Sequence, residues 1–369
     1  MKSASIVFES FRRMKFPIAF GILTKNVINA NRCCLCGTCV ASCPIQSIDI
    51  IGGTPKLVGL CYACGSCYSG CPQTIEALNN REEMELAIFG RTRNENEPSG
   101  IFKAAYAART KVERIKDRGQ DGGVVTTLLY AALEEGLIDS AIVSDKSDKE
   151  PWKPVPKIAT TIGEIFDAAG TKYAASPNVS LLGQAHWGQS LNGIAFVGVP
   201  CQVYGVRRMQ FFPGAAISYA EKVKYVIGLF CMENYPYEKL FLKYITEEKG
   251  LNLAEITKFD IKKGKFLAYK GKEPVLEVPV SETKDYTLGS CHTCPDLTAE
   301  FADISVGSIG SPAGWSTVLV RTDKGEELLN AAIKKDYLET KDLKDVKPGI
   351  KLVHKLSKAK AEQLKNLKT

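Results

Sequence analysis

The sequence predicts a mixed α and β protein: a body with a mixed sheet flanked by helices, preceded by a small cysteine-rich unit. Three observations carry that prediction. Apolar runs such as Ile194–Pro200 and Tyr225–Phe230 have the length and composition of buried strands. Between them lie amphipathic stretches such as 128–135, closed by Gly136, which read as helices. Nine of the 13 cysteines fall between Cys33 and Cys71, which sets that segment apart. The 369 residues allow two or three domains, and 45% hydrophobic with 24% charged residues excludes global disorder. The predicted organisation is an N-terminal arm (1–30), the cysteine-rich unit (31–80), a linker (81–102), the body (103–345) and a basic helical tail (346–369).

The arm contains the apolar stretch Phe16–Leu23 behind Arg12, Arg13 and Lys15. It is under half the length of a membrane span, and no small-residue cleavage site follows it. It is expected to pack on this chain or to dock a partner, with a frayed terminus as the equal alternative. An odd number of cysteines in a long chain argues against a disulfide framework and for metal-thiolate chemistry. Such sites are normally assembled in the reducing cytosol, so the protein is expected to be cytoplasmic.

In the cysteine-rich unit, Cys33, Cys36, Cys39 and Cys43 form C-x2-C-x2-C-x3-C followed by Pro44. Cys61, Cys64, Cys67 and Cys71 repeat the pattern 28 residues later, followed by Pro72, so one supersecondary unit is duplicated. The spacing suits [4Fe–4S] cubanes, and in the two-cluster arrangement the fourth cysteine serves the other cluster. Cys33, Cys36, Cys39 and Cys71 are therefore expected to hold one cluster, and Cys61, Cys64, Cys67 and Cys43 the other. Zinc usually takes two C-x2-C knuckles and fits two complete Cys-Pro sets poorly. The segment resembles bacterial-type two-cluster ferredoxins. Cys34 falls outside the register and is expected to be a spare thiol.

Four cysteines remain in the body. Cys201 and Cys231 each follow a predicted strand, and two parallel strands would bring both to one sheet edge. Cys291-x-x-Cys294 could complete a four-thiolate site, but spacing alone leaves that open against four buried thiols. Gln120-Asp-Gly-Gly-Val-Val-Thr-Thr127 opens a predicted helix, where backbone N–H groups can meet a phosphate; a plain turn is the alternative. Gly170-Thr-Lys-Tyr173 is a second polar loop with a cation. A third, Ser305–Ser311 followed by Gly314–Thr317, is rich in small residues and suits either a flat ring system or a tight strand connection. No strand leads into G-x-G-x-x-G, and P-loop, H-E-x-x-H and G-x-S-x-G motifs are missing.

Residues 103–355 resemble the family of β subunits of coenzyme F420 hydrogenases and dehydrogenases. The motifs are Gln120–Val124, Ala169–Tyr173, Ser176-Pro-Asn178, Val199-Pro-Cys-Gln202, Cys231–Asn234, Gly264-Lys-Phe266, Cys291-x-x-Cys294-x-Asp296, Ala302-Asp303 and Gly314–Thr317. With the ferredoxin-like segment in front, the chain is similar to the F subunit of F420 dehydrogenase complexes. The resemblance implies FAD, the substrate F420, and a third [4Fe–4S] cluster, here on Cys201, Cys231, Cys291 and Cys294. It implies FAD contacts at Gly122, Gly123, Thr126, Thr171, Lys172 and Tyr173, and makes Lys265 a candidate cation for the acidic F420 tail. Ser308, Gly310 and Trp315 join them as candidate cofactor residues of the third loop. Where the family often has Trp after Gly-Lys-Phe, this chain has Leu267.

The resemblance implies a redox path from reduced F420 through FAD, the body cluster and the two ferredoxin-type clusters to a partner, in either direction. Hydride passes between cofactors, so no catalytic side chain is required. The implied partners are other subunits of a redox complex, such as a membrane dehydrogenase, heterodisulfide reductase or hydrogenase. The protein is then peripheral on the cytoplasmic side, with no transmembrane segment and no nucleic acid. Two alternatives are an electron-transfer subunit without F420 activity and a related flavoprotein reducing another substrate. Of the net charge of +7, residues 341–369 supply +6 through nine lysines, a pattern that usually means a solvated helix face.

Overall fold

The computed structural model describes residues 19–188, 191–212 and 217–367; the arm's residues 1–18 lie outside it. In the cysteine-rich unit a hairpin of β1 (Ile48–Ile51) and β2 (Thr54–Leu57) separates two short helices, α1 (Thr38–Ala41) and α2 (Ser66–Gly70). Each helix follows a left-handed glycine, Gly37 at φ +87° and Gly65 at φ +78°, which turns the chain just before the third cysteine of each set. Phe20, Leu23 and Val27 of the arm pack with Ile48, Tyr68, Cys39, Cys67 and Cys71, so the described end of the arm belongs to this core.

Segment 81–102, expected as a linker, is fastened down. It begins with α3 (Arg81–Phe89), whose Met84 is fully buried. Arg81 donates to Glu300 at 2.7 Å and Asp296 at 3.3 Å, and Arg93 to Glu300 at 2.6 Å.

The body is built on an eight-stranded mixed sheet. Its strands are β3 (Ala104–Thr110), β4 (Ser140–Lys146), β5 (Pro154–Ala159), β6 (Ile194–Gly198) and β7 (Val223–Leu229), then β11 (Ile304–Gly307), β12 (Ser316–Val320) and β13 (Leu338–Asp342). Between these two groups, β8 (Lys258–Lys262), β9 (Lys265–Lys270) and β10 (Glu273–Pro279) form a separate antiparallel sheet. The large sheet runs β13-β3-β12-β11-β7-β6-β4-β5, with β11, β7, β6 and β4 parallel and antiparallel strands at both margins. The five residues of β6 are all buried, which is why its apolar run is unbroken.

Helix α4 (Val124–Glu134) begins four residues before the expected Leu128, because left-handed Gly123 at φ +65° already completes the turn. With α6 (Asp323–Lys334), it covers one sheet face through Val124, Leu128 and Leu328 against Ile227, Val306 and Val318. The other face carries α5 (Pro200–Phe211), whose Val203 and Tyr204 share a core with Phe196, Val226, Cys34 and Cys36. The cysteine-rich unit is thus packed into the body's second layer. The basic tail is a helix with a solvated face, on which Lys351, Lys355 and Lys358 are exposed, and a buried one. In α7 (Ile350–Ala361), Val353, Ser357 and Lys360 are buried, with Ser357 hydrogen-bonded to Ser99 at 3.1 Å. Among the described residues, no helix is long and apolar enough to cross a membrane.

Candidate functional site

Because β6 and β7 are parallel, their C-terminal ends share one sheet edge. Cys201 enters α5 just past β6, and Cys231 follows β7. The Cys231 N–H donates to the Leu297 carbonyl at 2.8 Å, and the Asn234 N–H to Cys291 Sγ at 3.3 Å. These bonds draw the 289–297 turn onto the same edge, where Cys231 lies in the electrostatic field of Cys291, Cys201 and Cys294.

The eight cysteines of the N-terminal unit are brought together in crossed sets. Cys71 interacts with Cys36 and Cys33, as does Cys39. Cys43, Cys61, Cys64 and Cys67 line one cavity with Phe20, Leu57, Leu60 and Tyr62. Cys34 is buried and interacts with both Cys36 and Cys201, and Cys33 also interacts with Cys201. A thiol with no place in the ligand spacing therefore sits at the join between body and N-terminal unit. Only its adjacency to Cys33 pointed there in the sequence.

Burial, reinforced by neighbouring sulfurs, pushes the thiols of Cys33, Cys67 and Cys291 up to about 12. It also raises those of Cys39, Cys71, Cys231 and Cys294. Buried groups that oppose one another's ionisation suit a metal centre, whose positive charge reverses both penalties. Among the described residues, no three His, Cys, Asp or Glu side chains are grouped to hold a single metal ion. A cubane needs no such grouping, because each thiolate binds a different iron. All-cysteine sets with peptide N–H groups aimed at sulfur, as from Phe20 to Cys61 at 3.4 Å and Ser47 to Cys43 at 3.3 Å, fit clusters better than zinc.

The glycine loop is held close to the sheet. A Cβ on Gly122 would stand 2.4 Å from the Ala108 carbonyl, and the Gly122 N–H donates to Ser316 Oγ at 3.1 Å. Gly122 and Gly314 flank a cleft of about 390 Å³ lined by Arg109, Lys111, Lys116, Asp121 and Glu339. The three cations are each ion-paired, Arg109 to Glu339, Lys111 to Asp336 and Lys116 to Glu113, so an anionic ligand would share their donors with these carboxylates, a feature with no motif to announce it. Thr126 is buried on α4. Tyr173 packs edge-on against Phe266, near Asp121 and Asp260, while Thr171 lies in the same loop. Lys172 Nζ donates to the carbonyls of Ala168 and Ala169, and burial lowers its pKa to about 8.

The remaining candidates are dispersed. Ser308 is exposed, and Gly310 abuts Val353 and Gly349 at the start of α7, a packing reason for its missing side chain. Trp315 is stacked by Arg109 at 4.5 Å and Lys341 at 4.6 Å. Lys265 is exposed and paired with Glu277, and Leu267 is buried in β9.

Comparisons with known proteins agree with this geometry. Residues 105–183 and 191–346 match the N-terminal and C-terminal models described as coenzyme F420 hydrogenase/dehydrogenase, beta subunit. The chain belongs to the family of coenzyme F420 hydrogenase/dehydrogenase β subunits. Within this family it is 44% identical to the β subunit of coenzyme F420 hydrogenase from Methanothermobacter thermautotrophicus, over 72% of this chain and 93% of the relative. It is 32% identical to the F subunit of F(420)H(2) dehydrogenase from Methanosarcina mazei, over 90% of both chains. A chain of the F420-reducing [NiFe] hydrogenase complex from Methanosarcina barkeri superposes with a TM-score of 0.71 at 38% identity, covering 74% of this chain and 94% of that one. The large mixed sheet is therefore the family's fold, and the protein is an F420-related oxidoreductase.

Proposed function

We propose that the protein oxidises reduced coenzyme F420 at a bound FAD and passes single electrons through three [4Fe–4S] clusters to a partner subunit of a redox complex, with the direction reversible. The observation that carries this is the position of Cys201. It belongs with Cys231, Cys291 and Cys294, yet it also interacts with Cys33 and Cys34 of the N-terminal unit. Body and N-terminal sets are thus adjacent through packed protein, with the outer set, exposed at Cys61 and Cys64, farthest along.

Bound FAD supplies the conversion between a hydride and single electrons. The chain's own part is placement. Gly122 and Gly123 let backbone approach the cofactor, and Arg109, Lys111 and Lys116 present positive charge beside them. Thr126, Thr171, Lys172 and Tyr173 are proposed to contact the same cofactor. Lys265 is proposed to meet the acidic F420 tail. The two ferredoxin-type clusters are assigned to Cys33, Cys36, Cys39 and Cys71, and to Cys43, Cys61, Cys64 and Cys67. Supporting the dehydrogenase-type reading, the match to the Methanosarcina mazei dehydrogenase chain spans 90% of this protein, against 72% for the hydrogenase chain.

The test is anaerobic mixing of purified, flavin-loaded protein with reduced F420. Bleaching of the flavin absorbance followed by bleaching of the broad cluster absorbance is expected. A flavin that stays oxidised sinks the proposal and favours an electron-transfer subunit without F420 activity.

A further inference from the structure

Helix α7 buries a lysine against carbonyls rather than a carboxylate. Lys360 is 2% exposed, whereas Lys351, Lys355 and Lys358 of the same helix are exposed. Its Nζ donates to the carbonyls of Cys231 and Met232, the latter at 2.7 Å. Just beyond the helix, the Gln363 amide, with its nitrogen turned toward the turn, donates to the carbonyls of Cys291 and Cys294 at 3.1 Å each. One chain segment thus grips the backbone at three of the four body cysteines.

A buried ammonium is costly unless opposite charge compensates it, and carbonyl dipoles do so only in part. Its Nζ sits on the backbone of Cys231 and Met232, beside the four-cysteine set, so negative charge gathered on that set is what would match this ammonium. A cubane on four thiolates carries a charge of about −2 when oxidised and about −3 when reduced. A fixed cation beside it gains more from the reduced state, in a site where water screens little. Lys360 touches no sulfur and acts through field and backbone, so it is a positioning residue.

We propose that Lys360 is the charge-compensating residue of the body cluster, its ammonium held behind Cys231 by α7 so that this cluster is easier to reduce than it would otherwise be. The inference rests on the assignment of Cys201, Cys231, Cys291 and Cys294 to a cluster. In the step concerned, one electron from a one-electron reductant enters the cluster, no metal–sulfur bond forms or breaks, and no proton is required.

The experiment is an anaerobic redox titration of the holoprotein with mediators and dithionite, each cluster followed by its electron paramagnetic resonance signal. Lys360→Gln keeps a donor and loses the charge, Lys360→Met loses both, and Lys360→Arg keeps the charge. Loss of charge is expected to make the body cluster at least tenfold harder to reduce, a downward shift of about 59 mV for a one-electron couple. The two N-terminal clusters are expected to keep their potentials, and Lys360→Arg to stay near wild type. Either uncharged variant that assembles decides the matter. An unchanged body-cluster potential, or an equal shift of all three clusters, overturns the proposal while leaving the cluster assignment intact. A wild-type protein lacking the third signal overturns the assignment and the proposal with it.

Discussion

The two halves of the cysteine duplication share a sequence pattern and differ in surroundings. The inner set, Cys33, Cys36, Cys39 and Cys71, lies against the body. A Cβ on Gly205 of α5 would stand 2.2 Å from Thr38 Oγ1, Arg208 Nε donates to the Ser69 carbonyl at 2.9 Å, and the Tyr219 hydroxyl to that of Ala41 at 2.9 Å. The outer set opens toward solvent, with Cys61 and Cys64 exposed beside Leu60 at 75% and Tyr62 at 71%. Repetition specifies the same chemistry twice, and packing divides the labour. One half is covered by the body and the other is exposed, which under the proposed function makes them link and outlet. Large exposed apolar side chains around a redox site are the composition expected where a partner docks.

The strongest way to break this comparison is to remove one ligand from each half. Cys36→Ser is expected to cut delivery to an external acceptor by on the order of 100-fold while reduced F420 still bleaches the flavin. Cys64→Ser is expected to stop delivery equally, yet leave the inner and body clusters reducible, as magnetic resonance of the frozen samples would show. If both variants leave the same clusters reduced, the serial order is wrong.

Next in size are the contacts that bind the inner half, and the segment that follows the cysteine-rich unit, to the body. Arg81→Met leaves Asp296 and part of Glu300 without their buried partner, and a loss of about 3–5 kcal/mol is expected in denaturant unfolding. Gly205→Ala forces α5 away from Thr38 and should cost about 1–3 kcal/mol despite alanine's better helix propensity. The same clamp gives a pH dependence. Burial would raise the Glu300 pKa, but Arg93 and Arg81 outweigh it and hold it at about 2, below its ordinary 4.5. Its stabilising contribution is therefore full above pH 4.5 and lost as the pH falls toward 2. Glu300→Gln should be less stable at neutral pH and flatter across that window when unfolding is followed by circular dichroism.

The smallest effect on stability is expected at the outlet. Leu60→Ser with Tyr62→Ser should stay within about 0.5 kcal/mol of wild type, while electron delivery to the native partner slows. Unchanged delivery would move the docking surface elsewhere.

The parts legible in sequence were those with a period or a fixed spacing. The buried strands ending at Cys201 and Cys231 declared themselves by unbroken apolar runs, and the structure sets them parallel and adjacent. The two-cluster spacing predicts crossed roles for Cys43 and Cys71, and in the structure Cys67 interacts with Cys43 and Cys71 with Cys33 and Cys36. Less legible was anything decided by contacts between distant segments. Lys360 looks like any other lysine of a basic tail, because its burial depends on where α7 docks. Cys34 looks spare until α5 brings Cys201 beside it. The cations Arg109, Lys111 and Lys116 come from a strand and the helical turn after it, and no local pattern marks a cleft they share with Gly314. Trp315 illustrates the converse: a conspicuous aromatic in a small-residue loop stacks with Arg109 and Lys341.

Under the proposed function, electrons flow from F420 through flavin and body cluster to the inner and then the outer cluster. Rapid-freeze magnetic resonance after mixing holoprotein with reduced F420, in wild type and Cys71→Ser, tests it most directly. In Cys71→Ser, flavin and body cluster are expected to be reduced still, with the outer cluster left oxidised. Reduction of the outer cluster at the wild-type rate in that variant would contradict it.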